Sequence, residues 1–162
     1  MEHAFRGPWK LKERFGTLDP AAIAAADPEA FADLGATPPA IHRYGRMMAG
    51  RVQQLAAAVV SDYGGDAAAI WTPTPDAKTL LNRLKSLPGF GDQKARIFAA
   101  LLGKRLGVQP DGWREAIGPY AEEGSFRSVA DVVDEASLQK VREFKKAAKA
   151  AAKQASANQA SA

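Results

Sequence analysis

The sequence predicts an all-α protein: one compact multi-helix domain. Helix-start signals repeat along the chain and apolar residues recur three and four apart. No stretch alternates apolar and polar residues between turn pairs. The start signals are Asp19-Pro20, Asp27-Pro28 and Thr74-Pro75. Each offers a side-chain oxygen as N-cap and a proline at the first helical position. The longest pattern spans 39–63, with Ile41, Tyr44, Met48, Val52, Leu55, Val59 and Val60 on one broad face. Gly45 and Gly50 are places where it could bend, and Gly64-Gly65 ends it. A short helix follows at 66–71 and a stronger one at 75–86. Another short helix, at 113–117, lies within the irregular stretch 106–127. The last amphipathic helix covers 137–150, with Leu138, Val141 and Phe144 inward. The domain is read as 1–147. Residues 148–162 have no large apolar side chain to bury and read as a disordered Ala/Lys-rich tail. That tail is either simply solvated or a weak phosphate-attracting arm.

Composition bounds the function. A chain of 162 residues fits one domain with a real core. The 22 Lys and Arg against 18 Asp and Glu give a net charge of +4, which permits a polyanionic partner without demanding one. With no cysteine, the chain makes no disulfide, thiol nucleophile, zinc–thiolate site or iron–sulfur cluster. Its two histidines, His3 and His42, argue against a His-rich metal site, and no cofactor is expected. No apolar run approaches the ~18 residues a membrane span needs, and the N-terminus has no signal-peptide core. A cytoplasmic monomer without a membrane is the expectation.

The informative stretch is Thr79–Arg105, TLLNRLKSLPGFGDQKARIFAALLGKR. It reads as helix, five-residue turn, helix. Leu80, Leu81, Leu84 and Leu87 form the inner face of the first helix; Ile97, Phe98, Leu101 and Leu102 form that of the second. Pro88 stops the first helix. Gly89 and Gly91 allow conformations and approaches that a Cβ would hinder. Phe90 plugs the hairpin into the core, and Asp92 is a plausible N-cap. A glycine turn feeding a helix N-terminus aims free amides outward, and the dipole there favours an anion such as a DNA phosphate. Lys85, Lys94 and Arg96 would add attraction. Such contacts position a protein on the backbone without reading bases. The same spacing also suits an αα-hairpin that merely needs glycines to turn.

LPGFGDQKA resembles the hairpin of the helix-hairpin-helix-Gly-Pro-Asp superfamily of DNA glycosylases, which includes endonuclease III, adenine glycosylase and the alkyl-purine glycosylases. RYGRMMAGRVQQLAAAVV is similar to that family's helix upstream of the hairpin, and FGTLDPAAIAAADPEAFADL to its proline-led helix pair. The resemblance covers about residues 8–111. It is strongest to the short actinobacterial excision-repair proteins of this type, which lack an iron–sulfur cluster. It implies double-stranded DNA as partner, with Leu87, Pro88, Gly89, Phe90, Gly91, Gln93, Lys94 and Arg96 as DNA-binding residues. It also implies an N-glycosidic hydrolase. Bifunctional members carry a nucleophilic lysine two residues after the second hairpin glycine. Here that position is Gln93, and Lys94 lies about 100° further round the helix, so a Schiff-base lyase is disfavoured.

The family's catalytic aspartate is expected eighteen residues after that lysine position, which falls on Asp111. It would stabilise the cation developing on the sugar while water completes hydrolysis. Asp111 has a second reading, because Pro110-Asp111-Gly112 is a turn-former. Asp131 is a lesser candidate, otherwise a cap. Trp9, Tyr44, Trp113 and Tyr120 could stack on an extruded base or simply fill the core. The family usually begins with a further helix. Met1 is therefore expected to be an internal or misassigned start, with ~25–35 residues missing. Three functions remain open: a monofunctional glycosylase, a non-catalytic helix-hairpin-helix DNA-binding protein, and a helical interaction module.

Overall fold

In a computed structural model, residues 2–160 are described, with side chains over 6–154. Met1, and with it the expectation about the chain's start, lies outside the described residues, as do 161 and 162. Among the described residues there are eight α-helices and no strand. They are α1 (Glu2–Phe15), α2 (Pro20–Ala25), α3 (Pro28–Ala36), α4 (Gly45–Tyr63), α5 (Ala77–Ser86), α6 (Asp92–Leu106), α7 (Trp113–Ile117) and α8 (Glu135–Ala160). Short 3-10 turns follow α4 and α7 and precede α8. The structure gathers into two compact units. The first runs to Pro73 and adds 86–90; the second comprises 74–85 and 91–162.

The first unit packs α2 and α3 on α4, with α1 against α3. Asp19 and Asp27 accept the amides of Ala22 and Ala30 at 2.8 Å, with Pro20 and Pro28 opening the helices as expected. Leu11, Ile23, Phe31, Ile41, Ala49 and Ala56 form the core. Phe15 meets Phe31 edge to face, with centroids 5.1 Å apart. Lys10 and Arg14 lie four apart on α1 and donate to carbonyls of the segment after α3: Lys10 to Ala40 at 2.9 Å, Arg14 to Thr37 at 2.8 Å and Pro39 at 2.9 Å. Gln53 closes α2 by donating to Ala26 at 3.0 Å.

α4 starts at Gly45, six residues later than the pattern suggested. It turns Val59 inward as expected, but the rest of its buried line is small residues, Gly45, Ala49 and Ala56. Tyr44 and Val60, expected inside, are exposed. The cause is a close approach of α3: a Cβ on Gly45 would lie 2.6 Å from the Gly35 carbonyl oxygen and 2.7 Å from Ala36 Cα. Larger side chains have no room on that line, so they move to its flanks.

In the second unit, α5 starts at Ala77 rather than Pro75. The Asp76 carboxylate accepts the Thr79 amide at 2.7 Å, and the Ala77 amide donates to the Asp111 carbonyl at 2.9 Å. Leu80, Leu81 and Leu84 are buried as expected, and so is Leu87 in the first unit. α6 again buries small residues, Ala95, Ala99, Ala100 and Gly103 with Leu102, while Ile97, Phe98 and Leu101 are only half-buried. The buried Trp113 ring explains this. Its indole N–H donates to Ala99 at 3.1 Å, and a Cβ on Gly103 would lie 2.2 Å from its Cζ2. The 3-10 turn at Val129–Asp131 packs on α6 through an ion pair, Lys104 Nζ to Asp131 Oδ1 at 2.5 Å. α8 begins with Asp134 accepting the Ser137 amide at 2.7 Å, and buries Leu138 and Val141. It continues as helix to Ala160 in place of the tail expected from 148. Alanine, lysine and glutamine are good helix formers, and no Gly or Pro interrupts them.

Candidate nucleic-acid interface

The loop between α5 and α6 opens with Leu87-Pro88-Gly89-Phe90. The Phe90 amide donates to the Leu87 carbonyl at 3.0 Å, and Gly89 has φ +80°. Proline second and a positive-φ glycine third is the pattern of a type II turn. Leu87 is a core side chain, 4% exposed. Phe90, expected as a plug, is only half-buried.

The N-cap of α6 is Gly91, in extended conformation, and not Asp92. No side chain caps this end. The amides of Asp92 and Gln93 therefore have no intrahelical acceptor and face the side where the helix dipole favours negative charge. Gly91, Asp92, Gln93 and Lys94 are all exposed. A Cβ on Gly91 would meet nothing within 4 Å, so the approach to these amides is open.

Lys85 and Arg96, expected to attract phosphate, are held by protein groups. Asp92 holds Lys85 at 2.5 Å and Arg96 at 2.8 Å, and Arg96 also donates to the Ala116 carbonyl. The Lys85 and Arg96 bonds hold the Asp92 carboxyl below its ordinary pKa. This is why Asp92 does not cap: its oxygens serve side chains. Lys94 is exposed beside it.

Gln93 also lines a cleft of about 550 Å³, larger than the other described cavities. Ile97, Pro119, Phe144 and Ala148 give apolar wall; Tyr120, Arg127 and Lys145 give polar groups. The Gln93 carboxamide donates to the Tyr120 hydroxyl at 3.2 Å. Arg127 lies over the Phe144 ring, 5.3 Å from its centroid, and reaches Glu122 at 3.2 Å. Among the described residues, no carboxylate lines the cleft. Phe144 was expected inward but is 38% exposed, because it forms this wall. Of these residues the sequence singled out Gln93 and Tyr120 for chemistry. The others come from α6, the turn after α7, the loop before α8 and α8 itself, and no spacing rule links them.

Asp111 occupies the turn. Trp113 donates its amide to Pro110 at 3.0 Å, Gly112 has φ +72°, and the Asp111 carbonyl is taken by Ala77. Its side chain is exposed, and the described cavities are lined by other residues. Asp131 is a cap and ion-pair residue with a 3% exposed side chain, accepting from Arg127 and Ser128 amides at 2.9 and 3.0 Å. Trp113 is core and cannot stack on a base. Trp9 and Tyr44 are exposed on the first unit, Tyr44 beneath the Arg43 guanidinium at 4.8 Å. Comparison with protein-family models, curated proteins and solved structures gives no match.

Proposed function

We propose that this protein binds double-stranded DNA through the N-terminus of α6 and takes one extruded base into the adjacent cleft. This is the recognition half of base excision, in keeping with the resemblance of LPGFGDQKA to the helix-hairpin-helix glycosylases. One observation carries the reading: an uncapped, exposed helix N-terminus whose second residue, Gln93, also lines a cleft with apolar walls. A phosphate at the amides would set the backbone beside the cleft mouth. A base inside would meet Phe144 and Pro119, with the Gln93 amide and Tyr120 hydroxyl available to its polar edge.

Hydrolysis of the glycosidic bond is the second reading. The eighteen-residue spacing from Gln93 to Asp111 and the exposure of that carboxylate favour it. Asp111 would stabilise the oxocarbenium-like sugar while water adds at C1′ and the base departs. A glutamine has no amine with which to form a Schiff base, so strand cleavage by a lyase route is not part of the proposal.

The test is fluorescence-anisotropy binding to intact, mismatched and damaged duplexes, with base release measured in parallel. Gly91→Ala should fold normally, since a Cβ there meets nothing within 4 Å, and bind every duplex more weakly, because it adds bulk at the exposed start of α6 where a phosphate would approach. Gln93→Ala should lose the preference for duplexes whose base is easily extruded. Binding by wild type that is indifferent to both substitutions would sink the reading. Base release that disappears in Asp111→Asn would establish the hydrolytic version.

A further inference from the structure

Beyond about its first three turns, α8 changes character. From Phe144 to the end of the chain there are four lysines, Lys145, Lys146, Lys149 and Lys153, and no acid. All four are exposed. At about 100° per residue they fall within an arc of about 100°, and Lys145 to Lys153 spans about 12 Å of helix. The stripe begins at the cleft, since Lys145 lines it and Lys149 and Lys153 extend away from it.

Like charges four apart repel, and Lys145, Lys149 and Lys153 form two such pairs without an acid at i±4 to offset them. Elsewhere on α8 the cations have partners: Arg142 lies 3.8 Å from Glu135, and Lys140 stands over Phe126 at 4.6 Å. Beyond Phe144 the other residues are Ala, Gln, Ser and Asn. With no Leu, Phe or Trp there, this segment cannot bury the apolar face that an interfacial membrane helix requires. A polyanion is the partner whose charge complements it.

We infer that the lysine stripe of α8 is a second DNA contact, laid along a phosphate backbone leading away from the cleft. The inference rests on the DNA-binding reading above and extends it to a surface the hairpin does not include. A four-residue step advances about 6 Å, so successive lysines can meet successive phosphates and release counterions.

The experiment compares wild type with a Lys146→Gln, Lys149→Gln, Lys153→Gln triple variant, sparing the cleft residue Lys145. An undamaged duplex is the probe, titrated across a salt series. The triple variant should bind at least tenfold more weakly at low salt. The slope of log K against log salt should shrink by about 2 to 3, from ~0.9 per lost phosphate contact. A triple Lys→Arg variant should restore both. Circular dichroism should show unchanged folding, because the three side chains are exposed. Unchanged slope and affinity in the glutamine variant would overturn the stripe while leaving the cleft reading intact. Wild type that fails to bind duplex at all would overturn both readings. Uptake by phosphatidylserine vesicles in preference to duplex would also overturn this inference.

Discussion

At the scale of single residues, two positions carry consequences out of proportion to their size. Gly103 lies under the Trp113 ring, with no room for even a methyl group. Gly103→Ala should destabilise the protein by about 3 kcal/mol or more, since the ring is also held by its bond to Ala99 and cannot slide away. Thermal denaturation would check this, and a melting temperature within a degree of wild type would contradict it. The second position is Asp131, buried against Lys104. Asp131→Ala strands that ammonium and removes acceptors from the Arg127 and Ser128 amides, costing about 3–5 kcal/mol in denaturant unfolding. Lys104→Met combined with Asp131→Leu should recover part of the loss, because no unpaired charge remains. Gly89 and Gly91 differ. The turn holds Gly89 at positive φ, whereas Gly91 is extended and open. Gly89→Ala should therefore lower stability by about 1 kcal/mol through backbone strain, while Gly91→Ala meets no strain and should cost only about 0.5 kcal/mol as the poorer N-cap.

At the scale of elements, the starts of α5 and α8 are fixed by the carboxylates Asp76 and Asp134, whereas Asp92 and Glu123 serve side chains; all four have lowered pKa values. Asp76 is lowered chiefly by the Thr79 amide, Asp92 by the Lys85 ammonium, Asp134 by the Ser137 hydroxyl. Glu123 is lowered by Arg114. A carboxyl whose folded pKa lies below its unfolded value adds stability above the unfolded pKa, and loses it as pH falls through the folded one. Unfolding free energy should thus be level at neutral pH and fall below pH ~4. Asp76→Asn and Asp134→Asn should flatten that acid limb, which chemical denaturation across pH would measure. The pattern of elements was largely legible. Asp19-Pro20 and Asp27-Pro28 announced α2 and α3 to the residue, because a cap and its proline are local chemistry. Thr74-Pro75 announced a start two residues early. A tertiary bond from Ala77 to Asp111 chose Asp76 as cap, and no local signal records it.

At the scale of the whole molecule, a net charge of +4 is too small for a general field to hold nucleic acid. Affinity for duplex should come from local groups at α6 and α8 and respond steeply to salt. With about four phosphate contacts, raising monovalent salt from 50 to 200 mM should weaken binding on the order of 100-fold. A salt-insensitive complex would point to another mode. No described helix is long and apolar enough to cross a membrane. The division into two units was not legible, since it depends on which helices touch.

The sequence by itself determined the all-α class, the two proline-led helices, the buried leucines of α5 and the glycine turn at 87–90. Each follows from neighbours along the chain: caps, helical periodicity and the φ that a turn demands. Only the tertiary structure decided that small residues, rather than the large apolar ones, line the inner faces of α4 and α6. Helix approach distances and the lie of the Trp113 ring set that, and both are properties of separated segments. It alone also gave Asp92 to Lys85 and Arg96, kept Asp111 in a turn, and gathered Gln93, Tyr120, Arg127 and Phe144 around one cleft. A cleft is a relation among surfaces, and residues scattered over some fifty positions on four segments carry no pattern that reveals it.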